Sequence, residues 1–180
     1  NYDLIIVGAG LSGLAAAVSA SENHLDTLVL EKGRSIGGGG NYVEGAMGVD
    51  SYLQKETGID IDKTQLLQDE LNYSHYEASA PHLRKLIDNS GQTIDWLHAL
   101  GIEFTKVGVQ GKSWPTIHTF KGGGHAAVQK LYQLAGDAGV EFAMSISAQT
   151  LHQENGHISE VTVKNEATGQ FRDLKASNII

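Results

Sequence analysis

The apolar run Tyr2-Asp3-Leu4-Ile5-Ile6-Val7 stops at Gly8-Ala9-Gly10-Leu11-Ser12-Gly13, and the small, helix-favouring residues Leu14 to Ala20 follow. That order predicts a strand, a tight turn and a helix. A second apolar run, Thr27-Leu28-Val29-Leu30, ends at the acid Glu31. The first 31 residues therefore read as a βαβ unit, with two parallel strands and a right-handed crossover. An α/β fold is the expectation.

Each glycine of the turn has a physical task. A phosphate approaches backbone closely only where side chains are absent, and a strand-to-helix turn points free N–H groups at it from the positive end of the helix dipole. Gly8 permits the tight turn, Gly10 leaves room for a pyrophosphate, and Gly13 lets the helix pack on the strand, helped by Ala15, Ala16 and Ala17. Glu31 at the end of the second strand is placed to accept hydrogen bonds from ribose hydroxyls, and its charge disfavours a 2′-phosphate. The pattern predicts a site for the adenosine diphosphate half shared by FAD and NAD.

Between Lys32 and Asp50 the chain carries Gly33, Gly37, Gly38, Gly39, Gly40, Gly45 and Gly48, so no regular helix or strand is expected there. A simple nicotinamide-binding domain would turn into another helix and strand. A glycine-rich loop instead suits a backbone lying along a flavin. Helical spacing follows at 63–77 and 82–100, the second with a break expected at Ser90-Gly91, and Ile102 to Thr105 reads as a short strand. Val107 to His118 reads as a loop, and Lys121-Gly122-Gly123-Gly124-His125 as a glycine lead into a helix from Ala126 to Ala138. Val140 to Ile146, Ala148 to His152, Ile158 to Lys164 and Gln170 to Lys175 read as strands of an antiparallel meander, with turns at Asn155-Gly156 and Ala167-Thr168-Gly169.

Composition narrows the function classes. With 13 Lys and Arg against 21 Asp and Glu the net charge is −8, so the basic footprint of a nucleic-acid binder is missing. The absence of cysteine removes disulfides, thiolate zinc sites and iron–sulfur clusters. No apolar run approaches the ~20 residues of a membrane span. The chain opens on Asn1 with no basic leader, and it stops in the apolar run Ser177-Asn178-Ile179-Ile180, which reads as the start of another buried strand. Those features set the expectation of a longer natural chain in the cytoplasm.

The residues Glu31-Lys32-Gly33-Arg34, Gly37-Gly38, Asn41 and Glu44-Gly45, added to the first glycine turn, resemble the flavoprotein family of fumarate reductase and succinate dehydrogenase, in its soluble single-chain branch. Gly122-Gly123-Gly124-His125-Ala126, Gly139-Val140-Glu141 and the strands from Ala148 to Val163 are similar in order and spacing, so the likeness spans essentially all 180 residues. It implies a Rossmann-like FAD-binding domain over 1–180 with a parallel sheet, a helical excursion and an antiparallel β-meander. It further implies cofactor contacts at Gly8, Ala9, Gly10, Ser12, Gly13, Glu31, Lys32, Gly38, Asn41, Gly45 and Ala148. Family members with covalent FAD use a histidine in the second loop; this sequence has glycine near Gly39 and no histidine from Lys32 to Asp50, which implies noncovalent FAD. The family's substrate-clamping domain, with its catalytic arginine and histidines, falls after residue 180, so no catalytic residue is assigned.

The implied activity is hydride transfer between flavin N5 and a C=C or CH–CH bond of a small carboxylic acid, with no partner subunit specified. Two other readings stand beside it: a dinucleotide-binding module without chemistry of its own, and an FAD enzyme of another class, such as an amino-acid oxidase or ketosteroid dehydrogenase. No metal site is expected, since the eight histidines form no compact ligand pair. Asp60-Ile61-Asp62-Lys63-Thr64 begins like a calcium loop, but Gln65 replaces the required glycine and Leu71 the last acid; a helix N-cap is expected. At the later glycine lead, His118, Lys121 and His125 are candidates to hold an anion; plain flexible backbone entering the helix is the expected alternative. Asn72-Tyr73-Ser74 is a sequon inside a predicted helix. Trp96 is expected in the core, with flavin stacking as the other use of Trp96 and Trp114.

Overall fold

The computed structural model describes residues 1–109 and 114–180. In chain order the elements are β1 (Tyr2–Val7), α1 (Leu11–Glu22), β2 (Thr27–Glu31), a 3-10 turn (Gly38–Tyr42), β3 (Gly45–Met47), α2 (Tyr52–Glu56), α3 (Lys63–Tyr73), α4 (Ala80–Ala99), β4 (Phe104–Gly108), β5 (Ile117–Phe120), α5 (Gly123–Asp137), β6 (Glu141–Met144), β7 (Ile146–Glu154), β8 (His157–Asn165) and β9 (Phe171–Ile179). They form two compact units, one of Asn1–Tyr42 with Ala127–Ile180 and one of Val43–Ala126.

The first unit holds a six-stranded sheet in the order β6-β2-β1-β9-β8-β7. β1 pairs parallel with β2 and β9, and β2 parallel with β6; the central strands β1 and β2 are buried along consecutive residues, Leu4–Ile6 and Thr27–Leu30, and so read as apolar runs. Ile5, Leu28, Leu30, Ile146, Val161, Val163 and Ala176 make one buried cluster. Burying each larger side chain contributes roughly 1.5–3 kcal/mol, whereas exposed ion pairs such as Lys175–Glu160 contribute about 0–1 kcal/mol. Apolar packing, not surface charge, holds the sheet.

The expected meander is present as β7-β8-β9, antiparallel throughout, but β6 is not part of it: that strand lies parallel to β2. Ser145, at φ 57, turns the chain between β6 and β7. The last two sequence segments are also one strand. β9 pairs with β8 from Phe171 to Lys175 and with β1 from Ala176 to Ile179, so Ser177–Ile179 ends the meander strand instead of starting a new one.

The second unit has a three-stranded antiparallel sheet, β3-β5-β4, and the helices α2 to α4. Val49, Ile61, Leu66 and Ile87 form its buried cluster, with Met47, Ile59, Leu67 and Trp114 against it. Asp62 caps α3, its Oδ1 accepting from the N–H groups of Thr64 and Gln65, as expected of that acid. The segment 32–50 is more regular than its glycines suggest, with a 3-10 turn and the short β3. Of the expected loop Val107 to His118, residues 107–108 end β4 and 117–118 begin β5; 110–113 lie outside the described residues.

The break expected at Ser90-Gly91 does not occur, and α4 runs through it. The pair serves packing. A Cβ on Gly91 would stand 2.1 Å from the Val49 carbonyl oxygen, and the Val49 N–H donates to Ser90 Oγ at 3.0 Å. Only glycine lets the helix come this close to residues 49–50. Trp96 is half-buried on the same helix rather than fully in the core.

Candidate functional site

The C-terminal ends of β1, β2 and β6 form one edge of the first unit's sheet, the place where open α/β sheets bind ligands. β1 ends at Val7, and Gly8, at φ 104, turns the chain while its N–H donates to the Leu30 carbonyl at 2.7 Å. Gly10 is the N-cap of α1 and offers no side chain to accept from the first turn, which also carries no acid. No side chain of the N-cap residue satisfies those N–H groups. Gly13 is required by packing: a Cβ there would lie 1.9 Å from the Gly8 oxygen. A Cβ on Gly10 would meet nothing nearer than the Gly37 oxygen at 3.9 Å, which leaves a space beside the helix start.

Glu31 closes the turn from the other side. Its Oε2 accepts the Ala9 N–H at 2.9 Å and its Oε1 the Gly33 N–H at 2.7 Å. The carboxylate is fixed at the turn, with lone pairs left for further donors. Lys32 beside it is exposed.

The second glycine loop is tied to the first. Gly37 N–H donates to the Ala9 carbonyl at 2.7 Å, and Gly37 bridges Gly10 in parallel register. Asn41 turns inward, its Nδ2 donating to the Ile36 carbonyl at 2.9 Å. Gly37 must be glycine: its φ is 96, and a Cβ would stand 2.3 Å from that Nδ2. Gly40 passes closely over Leu11, whereas Gly38 and Gly39 have open space around them. Gly37, more than Gly38, docks the loops together; its place at the head of the glycine run was the sequence signal.

Met144 lies opposite Glu31 in register, and the Ser145 N–H donates to the Gly33 carbonyl at 2.9 Å. Ala148 is half-buried on β7, opposite Val163. Nothing in the residue types of 144–147 announces their place at this edge. Of the residues named from sequence, Gly8, Ala9, Gly10, Gly13, Glu31 and the loop 37–41 come together; Ser12 is exposed on the first turn of α1. Gly45 belongs to the second unit, where a Cβ would stand 2.2 Å from the His118 oxygen; close pairing of β3 with β5 explains that glycine.

The second unit buries a polar network. His118 Nδ1 lies 3.0 Å from the Thr116 carbonyl, so it carries the proton, and bare Nε2 accepts from Ser51 Oγ at 2.6 Å. Gln54 donates to the Gly48 and Pro115 carbonyls, both at 2.9 Å. Burial pushes the His118 imidazole below the usual histidine range, against the opposing effects of the Thr116 bond and the Asp95 charge. A serine beside a histidine can be a nucleophile and base, but Ser51 and His118 are both fully buried. They fasten the segment before α2 to β5. His118 is thereby unavailable to an anion at the glycine lead, and Lys121 pairs with Glu103; α5 begins within that lead, at Gly123 and not at Ala126.

Trp114 packs in the second unit with its indole N–H on Asp69 at 2.9 Å. Among the described residues no three His, Cys, Asp or Glu side chains converge as metal ligands, and no helix is long and apolar enough to cross a membrane.

A parallel sheet, a glycine-started helix and an acid at the end of the second strand define a dinucleotide-binding domain. The chain belongs to the FAD binding domain family, whose model matches residues 3–180. It is 38% identical over 182 residues to a vinyl phenol reductase of Lactiplantibacillus plantarum, covering all of this chain and 37% of that protein. It is 27% identical over 186 residues to a fumarate reductase (cytochrome) of Shewanella frigidimarina, covering all of this chain and 32% of that protein. The solved open conformation of a flavocytochrome c3 fumarate reductase superposes with a TM-score of 0.88 at 18% identity, over 99% of this chain and 33% of that one. The chain thus spans about a third of the length of these relatives.

Proposed function

We propose that this chain is the cofactor-holding part of an FAD-dependent reductase acting on the C=C bond of a small carboxylic acid. The observation that carries the reading is the uncapped glycine start of α1, joined by hydrogen bonds to Glu31 on one side and to the Gly37 loop on the other. The free space at Gly10 fits a pyrophosphate. Gly8, Ala9, Gly10, Ser12 and Gly13 would hold it, with the helix dipole contributing about 0.3–1 kcal/mol and up to ~2 kcal/mol where partly buried.

Glu31 and Lys32 would receive the ribose, the backbone at Ala148 the adenine, and Gly38 and Asn41 would shape the loop beside the flavin. Asn41 acts on the loop's own carbonyls, so its part is to hold the loop in form. FAD is noncovalent in this proposal, since glycines with open space stand where a linking histidine would be needed. Bound flavin supplies hydride transfer to or from carbon. The protein residues supply binding, orientation and fixed charge. The acid and cation needed at a reacting C=C bond are assigned to polypeptide beyond these residues, and the cytoplasmic location stays part of the proposal.

The higher identity to a vinyl phenol reductase favours a second reading, with a phenol-conjugated alkene as substrate. The test is to supply the FAD-loaded full-length protein with a reduced viologen and compare fumarate with vinyl phenol. Oxidation of the donor by fumarate supports the first reading, and by vinyl phenol alone the second; oxidation by neither contradicts both.

A further inference from the structure

Ser145 is the one residue between β6, which ends at Met144, and β7, which begins at Ile146. It stands in left-handed backbone at φ 57, a conformation that the Cβ of an ordinary residue disfavours and that persists only where the surroundings fix it. Here both of its peptide groups are bonded. The Ser145 N–H donates to the Gly33 carbonyl at 2.9 Å, and the Ser145 carbonyl accepts the Glu166 N–H, from the turn after β8, at 2.8 Å. Neither bond uses the hydroxyl, so this place in the fold demands a backbone angle and not a particular side chain.

Gly33 is where that backbone meets the cofactor turn. Residues 32–36 form a bend with neither helix nor strand, so regular structure does not fix the Gly33 peptide. On its other side the Gly33 N–H donates to Glu31 Oε1 at 2.7 Å, while Glu31 Oε2 accepts the Ala9 N–H at 2.9 Å. The fit is close: a Cβ on Gly33 would stand 3.1 Å from Glu31 Oε1. An unbroken path of hydrogen bonds therefore runs from Ser145 through Gly33 to the Glu31 carboxylate, and on to Ala9. Two bonds from opposite sides set the rotation of the carboxylate, and with it the direction of the lone pairs left for a ligand's hydroxyls. Releasing Gly33 would leave the carboxylate free to turn about its bond to Ala9.

We propose that Ser145 is a positioning residue of the cofactor site, its left-handed backbone holding Gly33 so that Glu31 presents its carboxylate to the two hydroxyls of an adenosine ribose. Ser145 acts only through Gly33 and Glu31. The inference rests on the reading that Glu31 receives the ribose, and adds to it a determinant from a distant part of the chain.

The experiment measures how well ADP and 2′,3′-dideoxy-ADP compete with FAD for the full-length protein, with the ratio of the two affinities as readout. Only a change in how the ribose hydroxyls are held moves that ratio; general loosening weakens both ligands alike. Ser145→Val, whose branched Cβ is badly suited to left-handed backbone, should cut the preference for ADP about threefold to tenfold, the worth of one misdirected hydrogen bond. Ser145→Gly keeps the angle without strain and should keep the wild-type ratio. Ser145→Thr, a gentler change that is read if the valine variant does not fold, should fall between the two. A ratio unchanged in Ser145→Val, or in Ser145→Thr where valine does not fold, overturns the proposal, as does an equal loss in Ser145→Gly. With Glu31→Ala already in place, Ser145→Val should leave the ratio where it is; a further drop means that Ser145 acts by another route and also overturns the proposal. Glu31→Ala alone separates the two levels. If it removes the preference for ADP while the Ser145 variants keep it, only this inference fails; if it keeps the wild-type ratio, the ribose reading of Glu31 fails as well.

Discussion

Replacing Gly91 by alanine opposes two physical effects whose sizes are separately known. Gly91 lies inside the twenty-residue α4, where helix propensity alone makes alanine better by about 0.8–1 kcal/mol. The new Cβ, however, would stand 2.1 Å from the Val49 oxygen and 2.8 Å from the Asp50 carbonyl carbon. Relief needs helix and segment to part by about 1 Å or more. Overpacking of this kind costs roughly 1–3 kcal/mol, and parting also stretches the bond from Val49 N–H to Ser90 Oγ, a further ~1 kcal/mol. Packing outweighs propensity, and a net loss of about 1–3 kcal/mol is expected. Gly136 in α5 is the control, because a Cβ there meets nothing within 4 Å; Gly136→Ala should gain about 0.5–1 kcal/mol. Urea unfolding at constant slope measures both. A Gly91→Ala chain as stable as wild type, or more so, would refute the close approach of α4 to residues 49–50.

Gly10→Val should abolish FAD binding by filling the space beside the helix start, checked by flavin retained after gel filtration. Glu31→Ala leaves the Ala9 and Gly33 N–H groups without their acceptor and should weaken FAD binding by about 1–3 kcal/mol, read by flavin fluorescence quenching; unchanged affinity would remove Glu31 from the ribose role. Because burial lowers the His118 pKa, the unfolded chain binds a proton there that the folded chain does not. Stability should therefore fall between the ordinary histidine value of about pH 6.5 and about pH 5.5. His118→Gln should flatten that dependence, and urea midpoints at the two pH values would show it.

The structure of the first 31 residues is legible because every local signal points the same way: an apolar run, glycines at turn spacing, small residues after them and an acid at the strand end. The rest was hidden where long-range contact overrides local preference. Ser90-Gly91 looks like a helix break and is a contact point. Gly45 looked like a cofactor residue, and its missing side chain is explained by the pairing of β3 with β5. β9 looked like two strands because it changes partners midway, from β8 to β1, while Ser177 and Asn178 interrupt the apolar pattern. Ser145 gave no sign at all, since a serine in left-handed backbone is held there by Gly33 and Glu166, far away in sequence. His118 reads from sequence as one candidate for holding an anion, with plain backbone the expected alternative, and the register of β5 turns it inward onto Ser51.

The most direct test of the central claim, that these residues hold FAD without a covalent bond, is an absorbance spectrum of the purified chain followed by acid precipitation. The expected result is a yellow protein, either as isolated or after incubation with FAD, whose chromophore leaves with the supernatant and runs as FAD on chromatography. A colourless chain that takes up no FAD, or a flavin that stays with the precipitate, would contradict it.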